Sequence, residues 1–220
     1  MEDILCNDIK VLSFVNTPVP SNTYLLIDED GHCIVIDPGT KEQSDVRNYI
    51  QLHRLTLDYI ILTHEHFDHC WGVNFLLETS SAKVVATQLC AEWVETPMNY
   101  FNQLYYNSDE MYQIEKVDIT VEELGGKLMW RNTSVSFVKT PGHTNKCMCI
   151  EIEGCLFTGD TLLYGTKPYI KKRYGGSKLE LKNSIESLFS AYSGETKVFP
   201  GHGSPFILKE AKSFYLDYFD

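Results

Sequence analysis

The most informative stretch of this chain is Ile60-Ile61-Leu62-Thr63-His64-Glu65-His66-Phe67-Asp68-His69-Cys70-Trp71-Gly72. An apolar run typical of a buried strand is followed by three histidines and one aspartate within six residues, in a chain with only seven His. Neutral imidazoles and ionised carboxylates are ligands for Zn²⁺ and related divalent ions. The pattern therefore predicts a metal-binding loop directly after a strand.

Three further donors stand in similar contexts later in the chain. His143 and His202 each follow a Pro-Gly pair, and Asp160 follows the apolar run Leu156-Phe157-Thr158-Gly159. The spacing allows two ions side by side, each with a position left open for water, as in catalytic metal sites. We expect His64, His66 and His143 on one ion, Asp68, His69 and His202 on the other, and Asp160 on both.

Such a pair of ions has a definite chemistry. Metal binding lowers the pKa of water from 15.7 to ~7, so a hydroxide that bridges the ions is a nucleophile near neutral pH. The same ions polarise a carbonyl or phosphoryl oxygen, and the predicted reaction is metal-assisted hydrolysis. The predicted catalytic residues are Asp160, which bridges the ions, and Asp68, which orients the hydroxide before attack.

The ordered set of seven donors resembles the ligand pattern of the metallo-β-lactamase-fold hydrolases. Residues 22–26 and 36–39 resemble the opening strands of that superfamily, and Pro200-Gly201-His202-Gly203 resembles the closing motif of its glyoxalase II-like branch. The resemblance spans about residues 11–210. It implies an α/β fold, a four-layer αββα sandwich with a dinuclear site at the shared edge of two sheets.

Composition narrows the class of protein. The chain is 43% apolar and 12% aromatic over 220 residues, which predicts a single folded domain over residues 1–220. The net charge of −11 argues against a nucleic-acid binder, which neutralises phosphates with Lys and Arg. No apolar run reaches the ~18 residues of a membrane span. We therefore predict no membrane and no nucleic-acid partner.

The cysteines and the N-terminus bear on location. Seven cysteines, an odd number without a Cys-x-x-Cys pair, argue against a disulfide framework and against a thiolate zinc site. The acidic start Met1-Glu2-Asp3 lacks the basic-then-apolar order of a signal peptide. Both observations favour a reducing cytosol, and the predicted location is cytoplasmic.

Apolar runs and punctuating residues predict the order of elements. The predicted strands are Val11–Val15, Thr23–Ile27, Cys33–Ile36, Tyr59–Leu62, Lys83–Ala86, Ser134–Val138, Met148–Ile152, Cys155–Phe157 and Lys197–Phe199. The predicted helices are Glu42–Leu55, Trp71–Glu78, Leu179–Ala191 and Pro205–Tyr218. Residues 91–125 lose this rhythm and hold eight acidic residues and one Lys, so we predict a lid insertion there.

The sequence thus predicts a hydrolase of a small-molecule thioester, ester or lactone, with two divalent metal ions, zinc first and iron or manganese as alternatives. One alternative function is a persulfide dioxygenase-like oxidoreductase, which by the same resemblance holds a single iron on His64, His143 and Asp160. Another is a non-catalytic, metal-stabilised domain that binds a partner through residues 91–125. The sequence does not name the acyl group or the oligomeric state.

Overall fold

The structure is a computed structural model that describes residues 4–42, 44–122 and 125–219. The strands are β1 (Ile4–Cys6), β2 (Ile9–Val15), β3 (Asn22–Ile27), β4 (His32–Ile36), β5 (Thr56–Ile61), β6 (Lys83–Thr87), β7 (Ile119–Val121), β8 (Gly126–Trp130), β9 (Thr133–Lys139), β10 (Met148–Ile152), β11 (Cys155–Gly159), β12 (Lys197–Pro200) and β13 (Phe206–Ile207). The α-helices are α1 (Asp45–Leu52), α2 (Phe67–Cys70), α3 (Val73–Leu77), α4 (Gln88–Val94), α5 (Tyr100–Tyr106), α6 (Lys178–Ala191) and α7 (Lys212–Phe219). None of these helices combines the length and the apolar character that crossing a membrane requires.

The strands form two sheets. In the first sheet β1 to β7 lie in chain order, with antiparallel pairing from β1 to β4 and parallel pairing from β4 to β7. The second sheet has the order β13-β12-β11-β10-β9-β8, and only β11 and β12 pair in parallel. The carboxyl ends of parallel strands meet at one sheet edge, so the loops after β4 and β5 lie together, as do those after β11 and β12.

Side chains alternate between two cores because neighbouring strand residues point to opposite faces. In β3, Tyr24 and Leu26 pack in the cluster between the two sheets, with Phe157 and Phe199 of the second sheet. The outer face of the first sheet packs against α1 to α4, and the outer face of the second against α6 and α7. These layers confirm the predicted αββα sandwich.

The two sheets are joined at the edge where the predicted donors lie. The Asn22 side chain donates to the carbonyls of Pro200 at 3.0 Å and Gly203 at 2.7 Å. On the neighbouring strands, the N–H of Met148 donates to the carbonyl of Thr63 at 2.9 Å. The loops that carry the donors are therefore fixed to both sheets.

Some predicted bounds need correction. The helix predicted over Glu42–Leu55 is shorter, Asp45–Leu52, and residue 43 lies outside the described residues. The closing helix predicted over Pro205–Tyr218 begins instead as the two-residue strand β13 and a 3₁₀ turn over Leu208–Ala211. Strand pairing with β12 outweighs the local helical pattern there. The predicted lid region contains both α5 and β7, and β7 pairs with β6 of the first sheet. Residues 123–124 of this region lie outside the described residues.

The cysteine prediction is wrong for one pair. Cys6 of β1 and Cys155 of β11 form a disulfide, with their Cα atoms 6.0 Å apart and a sequence separation of 149 residues. Both lie in the core between the sheets, so the bond links one sheet to the other. Cysteine pairing depends on which strands face each other, which neither the number nor the spacing of cysteines reveals.

Candidate metal centre

The structure brings all seven predicted donors to one sheet edge. His64, His66, His143 and Asp160 form one group whose donor atoms lie within 4.8 Å of one another. A second such group contains the remaining predicted donors, Asp68, His69 and His202. A third group, Asp37, His64 and His69, overlaps the other two. The first two groups match the ligand sets that the resemblance implies, except that Asp160 is grouped with the first only.

Asp160 lies between the two groups. Its Oδ2 atom is 3.5 Å from Nε2 of His143 in the first group. In the second group, Oδ1 lies 3.5 Å from His69 Nε2, and Oδ2 lies 3.5 Å from His202 Nε2. One carboxylate therefore reaches donors of both groups, which suits a bridging ligand.

Several donor atoms have no hydrogen-bond partner among the described residues. They are buried and include Nε2 of His64, Nε2 of His69 and Oδ1 of Asp160. In addition, His143 Nε2 and His66 Nδ1 face each other at 2.9 Å. Buried polar atoms normally have a partner, so this unsatisfied set of imidazole and carboxylate atoms fits divalent cations.

The histidines of the first group are held neutral. Burial away from water lowers the pKa of His66 and of His143 to about 4 each, against the opposing field of Asp160. Burial also lowers the pKa of His64 well below its usual value. Only the neutral imidazole binds a metal, so these three side chains are ready to do so near pH 7.

The second group is dominated by negative charge. Burial opposes protonation of His69, yet the carboxylates of Asp160, Asp68 and Asp37 raise its pKa to about 9. Burial likewise opposes protonation of His202, whose contacts with Asp160 and Asp68 raise its pKa to about 11. The raised pKa values of both imidazoles reflect the attraction of the carboxylates for positive charge, which a divalent cation also supplies.

Glycines leave the space that the donors occupy. A Cβ atom on Gly201 would lie 2.2 Å from Asp160 Oδ1 and 2.8 Å from His69 Cε1. One on Gly39 would lie 1.7 Å from the carbonyl oxygen of Asp68. Glycine at these two positions thus allows close packing of the loops around the site.

Asp37, to which the sequence analysis assigned no role, supports the donors from behind. Its carboxylate accepts hydrogen bonds from the Thr63 N–H at 2.7 Å and the Thr63 hydroxyl at 2.6 Å. It also lies 2.9 Å from His69 Nδ1, which leaves His69 Nε2 facing the second group. Such contacts orient metal-binding histidines. The signal for it was an acidic residue at the end of β4, beside the strand that precedes the His cluster.

A buried ion pair also escaped the sequence analysis. Lys146 Nζ lies 3.2 Å from Glu65 Oε1, and the Thr144 hydroxyl donates to Glu65 Oε2 at 2.9 Å. Glu65 lies between His64 and His66, and Lys146 follows His143 by three residues. The pair therefore connects the two loops that supply the histidines of the first group.

The cysteine next to the cluster and the two histidines outside it have environments typical of structural residues. Cys70 is buried beneath the cluster, and burial raises the pKa of its thiol well above the usual range. His32 pairs with Asp58 at 2.9 Å, and His53 stacks on Tyr49 at 4.1 Å between ring centroids. Neither histidine is in the donor groups.

Comparisons with known proteins agree with this fold. A solved structure described as the BLEG-1 B3 metallo-beta-lactamase superposes with a TM-score of 0.81 at 23% identity, covering 92% of this chain and 96% of that one. The structure of TTHA1623 in a di-iron-bound form has a TM-score of 0.73 at 25% identity, covering 92% and 97%.

A curated relative and a family model extend the comparison. The hydroxyacylglutathione hydrolase of Shewanella oneidensis is 29% identical over 171 residues, which are 76% of this chain and 56% of the relative, so the match spans little more than half of that enzyme. The family model described as metallo-beta-lactamase superfamily matches residues 16–202, which include all seven donors. The chain belongs to the metallo-beta-lactamase superfamily.

Proposed function

We propose that this protein is a metal-dependent hydrolase that binds two divalent cations and cleaves a small carboxylic thioester or ester, lactones included. The observation that carries the proposal is the position of Asp160, whose carboxylate lies 3.5 Å from histidine nitrogens of both donor groups. A single structural ion does not require a second complete set of donors beside it.

The proposed ligands of each cation follow the two donor groups. His64, His66 and His143 would hold the first cation, and Asp68, His69 and His202 the second, with Asp160 shared. Zinc is the proposed metal because imidazole and carboxylate ligands suit it, and iron and manganese are alternatives. The di-iron form of TTHA1623 supports two ions on this fold and keeps iron among the alternatives.

The cations, when bound, lower the pKa of a shared water molecule and polarise the scissile carbonyl. The residues of the chain supply the rest. Asp68, whose Oδ2 is 3.4 Å from His202 Nε2, would accept a hydrogen bond from the attacking water and orient it. Asp37 holds the His69 ring in place, and the buried Glu65–Lys146 pair holds the loop between His64 and His66.

A carbonyl substrate is favoured by the relatives. The name of the hydroxyacylglutathione hydrolase denotes cleavage of an acyl group from glutathione, a thioester reaction. The match covers 56% of that enzyme, so the proposal takes the reaction class from it and leaves the acyl and thiol parts open.

Metal analysis and a substrate panel test the proposal. We expect two zinc ions per chain by mass spectrometry, and hydrolysis of at least one substrate in a panel of thioesters, esters and lactones. His66→Ala should lower kcat/KM by at least about 100-fold, the scale seen when groups that stabilise the transition state are removed. His53→Ala is the matched control, because His53 stacks on Tyr49 outside both donor groups.

Two results would contradict the proposal. Full activity in His66→Ala would separate hydrolysis from the donor groups. One iron per chain without hydrolysis of any panel member would instead favour the oxidoreductase alternative.

A further inference from the structure

A groove of about 640 Å³ opens beside the first donor group. One wall is apolar and comes from α4, α5 and the segment between them, with Leu89, Trp93, Met98, Tyr100 and Phe101. The other wall is the loop that carries Arg173 and Tyr174. Ligand pockets typically combine a mostly apolar lining with a few placed polar groups, and this groove has that composition.

Tyr174 joins the groove to the donor groups. Its ring lies nearly perpendicular to the His66 ring, with 5.3 Å between centroids, and its centroid is 6.0 Å from that of the Trp93 ring, which also lines the groove. Its carbonyl accepts a hydrogen bond from Lys146 Nζ at 3.4 Å. The inner end of the groove is therefore immediately beside the first donor group.

Arg173 supplies a positive charge that no acidic side chain neutralises among the residues the structure describes. Its guanidinium carbon lies 4.6 Å above the Tyr174 ring, and the side chain is exposed to solvent. Since the Tyr174 ring is 5.3 Å from the His66 ring, the guanidinium lies within about 10 Å of His66. A guanidinium stacked on an aromatic ring still presents its N–H groups in a fork that matches a carboxylate.

The groove is lined by two other charged residues, Lys146 and Glu92. Lys146, at the inner end, is paired with the buried Glu65 carboxylate. Glu92 is the acidic residue of the lining, and its Oε1 accepts a hydrogen bond from Gln88 at 3.0 Å. Among the described residues that line the groove, Arg173 is therefore the cation without an acidic partner, and its guanidinium can bind an anionic ligand.

We infer that the groove binds the organic part of an amphipathic substrate, an aromatic or alkyl segment that ends in a carboxylate, with that carboxylate on Arg173. The segment packs against Trp93 and its apolar neighbours while the reacting carbonyl lies at the donor groups. The inference rests on the proposed hydrolase function and narrows its substrate class, since it excludes a preference for wholly neutral acyl groups.

The experiment compares two thioesters that differ in one group. Both carry a 3-phenylpropanoyl chain, with a para carboxylate in one and a para carboxamide in the other. We expect the metal-loaded enzyme to favour the carboxylate about tenfold in kcat/KM, the scale of one charge-assisted bidentate contact. Arg173→Met should remove the preference, because kcat/KM for the carboxylate should fall more than kcat/KM for the carboxamide.

A binding measurement separates this inference from the proposed function. Calorimetry with the corresponding carboxylate and carboxamide N-methyl amides, which need not be turned over, should show the same tenfold preference and its loss in Arg173→Met. Glu92→Gln is the matched control and should not weaken binding of the carboxylate.

Three results would overturn the inference. They are equal binding of the two amides, an unchanged preference in Arg173→Met, and a loss in Glu92→Gln as large as that in Arg173→Met. If the binding preference holds but neither thioester is cleaved, the groove inference stands and the proposed hydrolase function fails.

Discussion

Replacing Lys146 with Met tests how strongly the loops of the first donor group depend on their buried ion pair. The side chain of Glu65 has 0% of its surface exposed and that of Lys146 9%, with 3.2 Å between Oε1 and Nζ. In Lys146→Met, Glu65 loses its cationic partner. Among the described side chains, the Thr144 hydroxyl still donates a hydrogen bond to Glu65 at 2.9 Å. Leaving one buried charge without its partner typically costs 3–5 kcal/mol, so we expect a loss of about 3 kcal/mol or more.

A second substitution should recover much of that loss. The double variant Glu65→Gln and Lys146→Met has no charged group at either position. The amide oxygen of the glutamine introduced at position 65 still accepts the hydrogen bond of the Thr144 hydroxyl. Replacing both members of a buried pair is often close to neutral, so we expect the double variant to be about 2 kcal/mol more stable than Lys146→Met. Lys209→Met is the control, because Lys209 and Glu195 pair at 2.6 Å with 58% and 72% of their side chains exposed. Its loss should stay below about 1 kcal/mol.

The measurement is urea unfolding at pH 7 in excess chelator, so that metal affinity does not enter the free energy of unfolding. Equal slopes in urea would show that the variants expose similar surface on unfolding. The reasoning is refuted if Lys146→Met loses no more than Lys209→Met. It is also refuted if the double variant is no more stable than Lys146→Met.

Three further outcomes concern the metals. Gly201→Ala should lower the metal bound per chain after dialysis, because its methyl group would lie 2.2 Å from Asp160 Oδ1, whereas Gly126→Ala, with 3.9 Å to its nearest neighbour, should bind as much as the wild type. Asp37→Asn should weaken metal binding by about 10–100-fold in a chelator competition, because the carboxylate that orients His69 is replaced. Unchanged metal affinity would contradict the orienting role of Asp37. Removal of metal by chelator should lower the midpoint of thermal unfolding, since a ligand at 100 times its Kd stabilises the folded state by about 2.7 kcal/mol, and an unchanged midpoint would show that the donors hold no metal in the folded protein.

Local pattern was enough to predict most of the sandwich. The apolar runs at β3 and β4 were recognised because their buried residues are contiguous, and β5 because it ends in the buried apolar pair Ile60-Ile61. The edge of the fold was less predictable, since β13 exists through pairing with β12 and β7 through pairing with β6. Short edge strands have little intrinsic signal, because their hydrogen-bond partners are distant in sequence.

The support around the candidate site shows the same division. Asp37 and His69 are 32 residues apart, and Glu65 and Lys146 are 81 residues apart. Asp37, Glu65 and Lys146, each taken alone, read as ordinary polar residues outside the donor pattern. Their roles follow from burial and from the partner that the fold supplies, which the sequence does not display.

The sequence by itself determined the chemistry available to this protein, because residue type decides which atoms can bind a metal, and the ordered donors from His64 to His202 identified the superfamily. Only the tertiary structure decided which donor atoms lie within reach of one another, how far the Asp160 carboxylate is from each group, and where Arg173 meets the groove. The physical reason is that these relations are distances across two sheets, and such distances exist only once the inter-sheet core has packed.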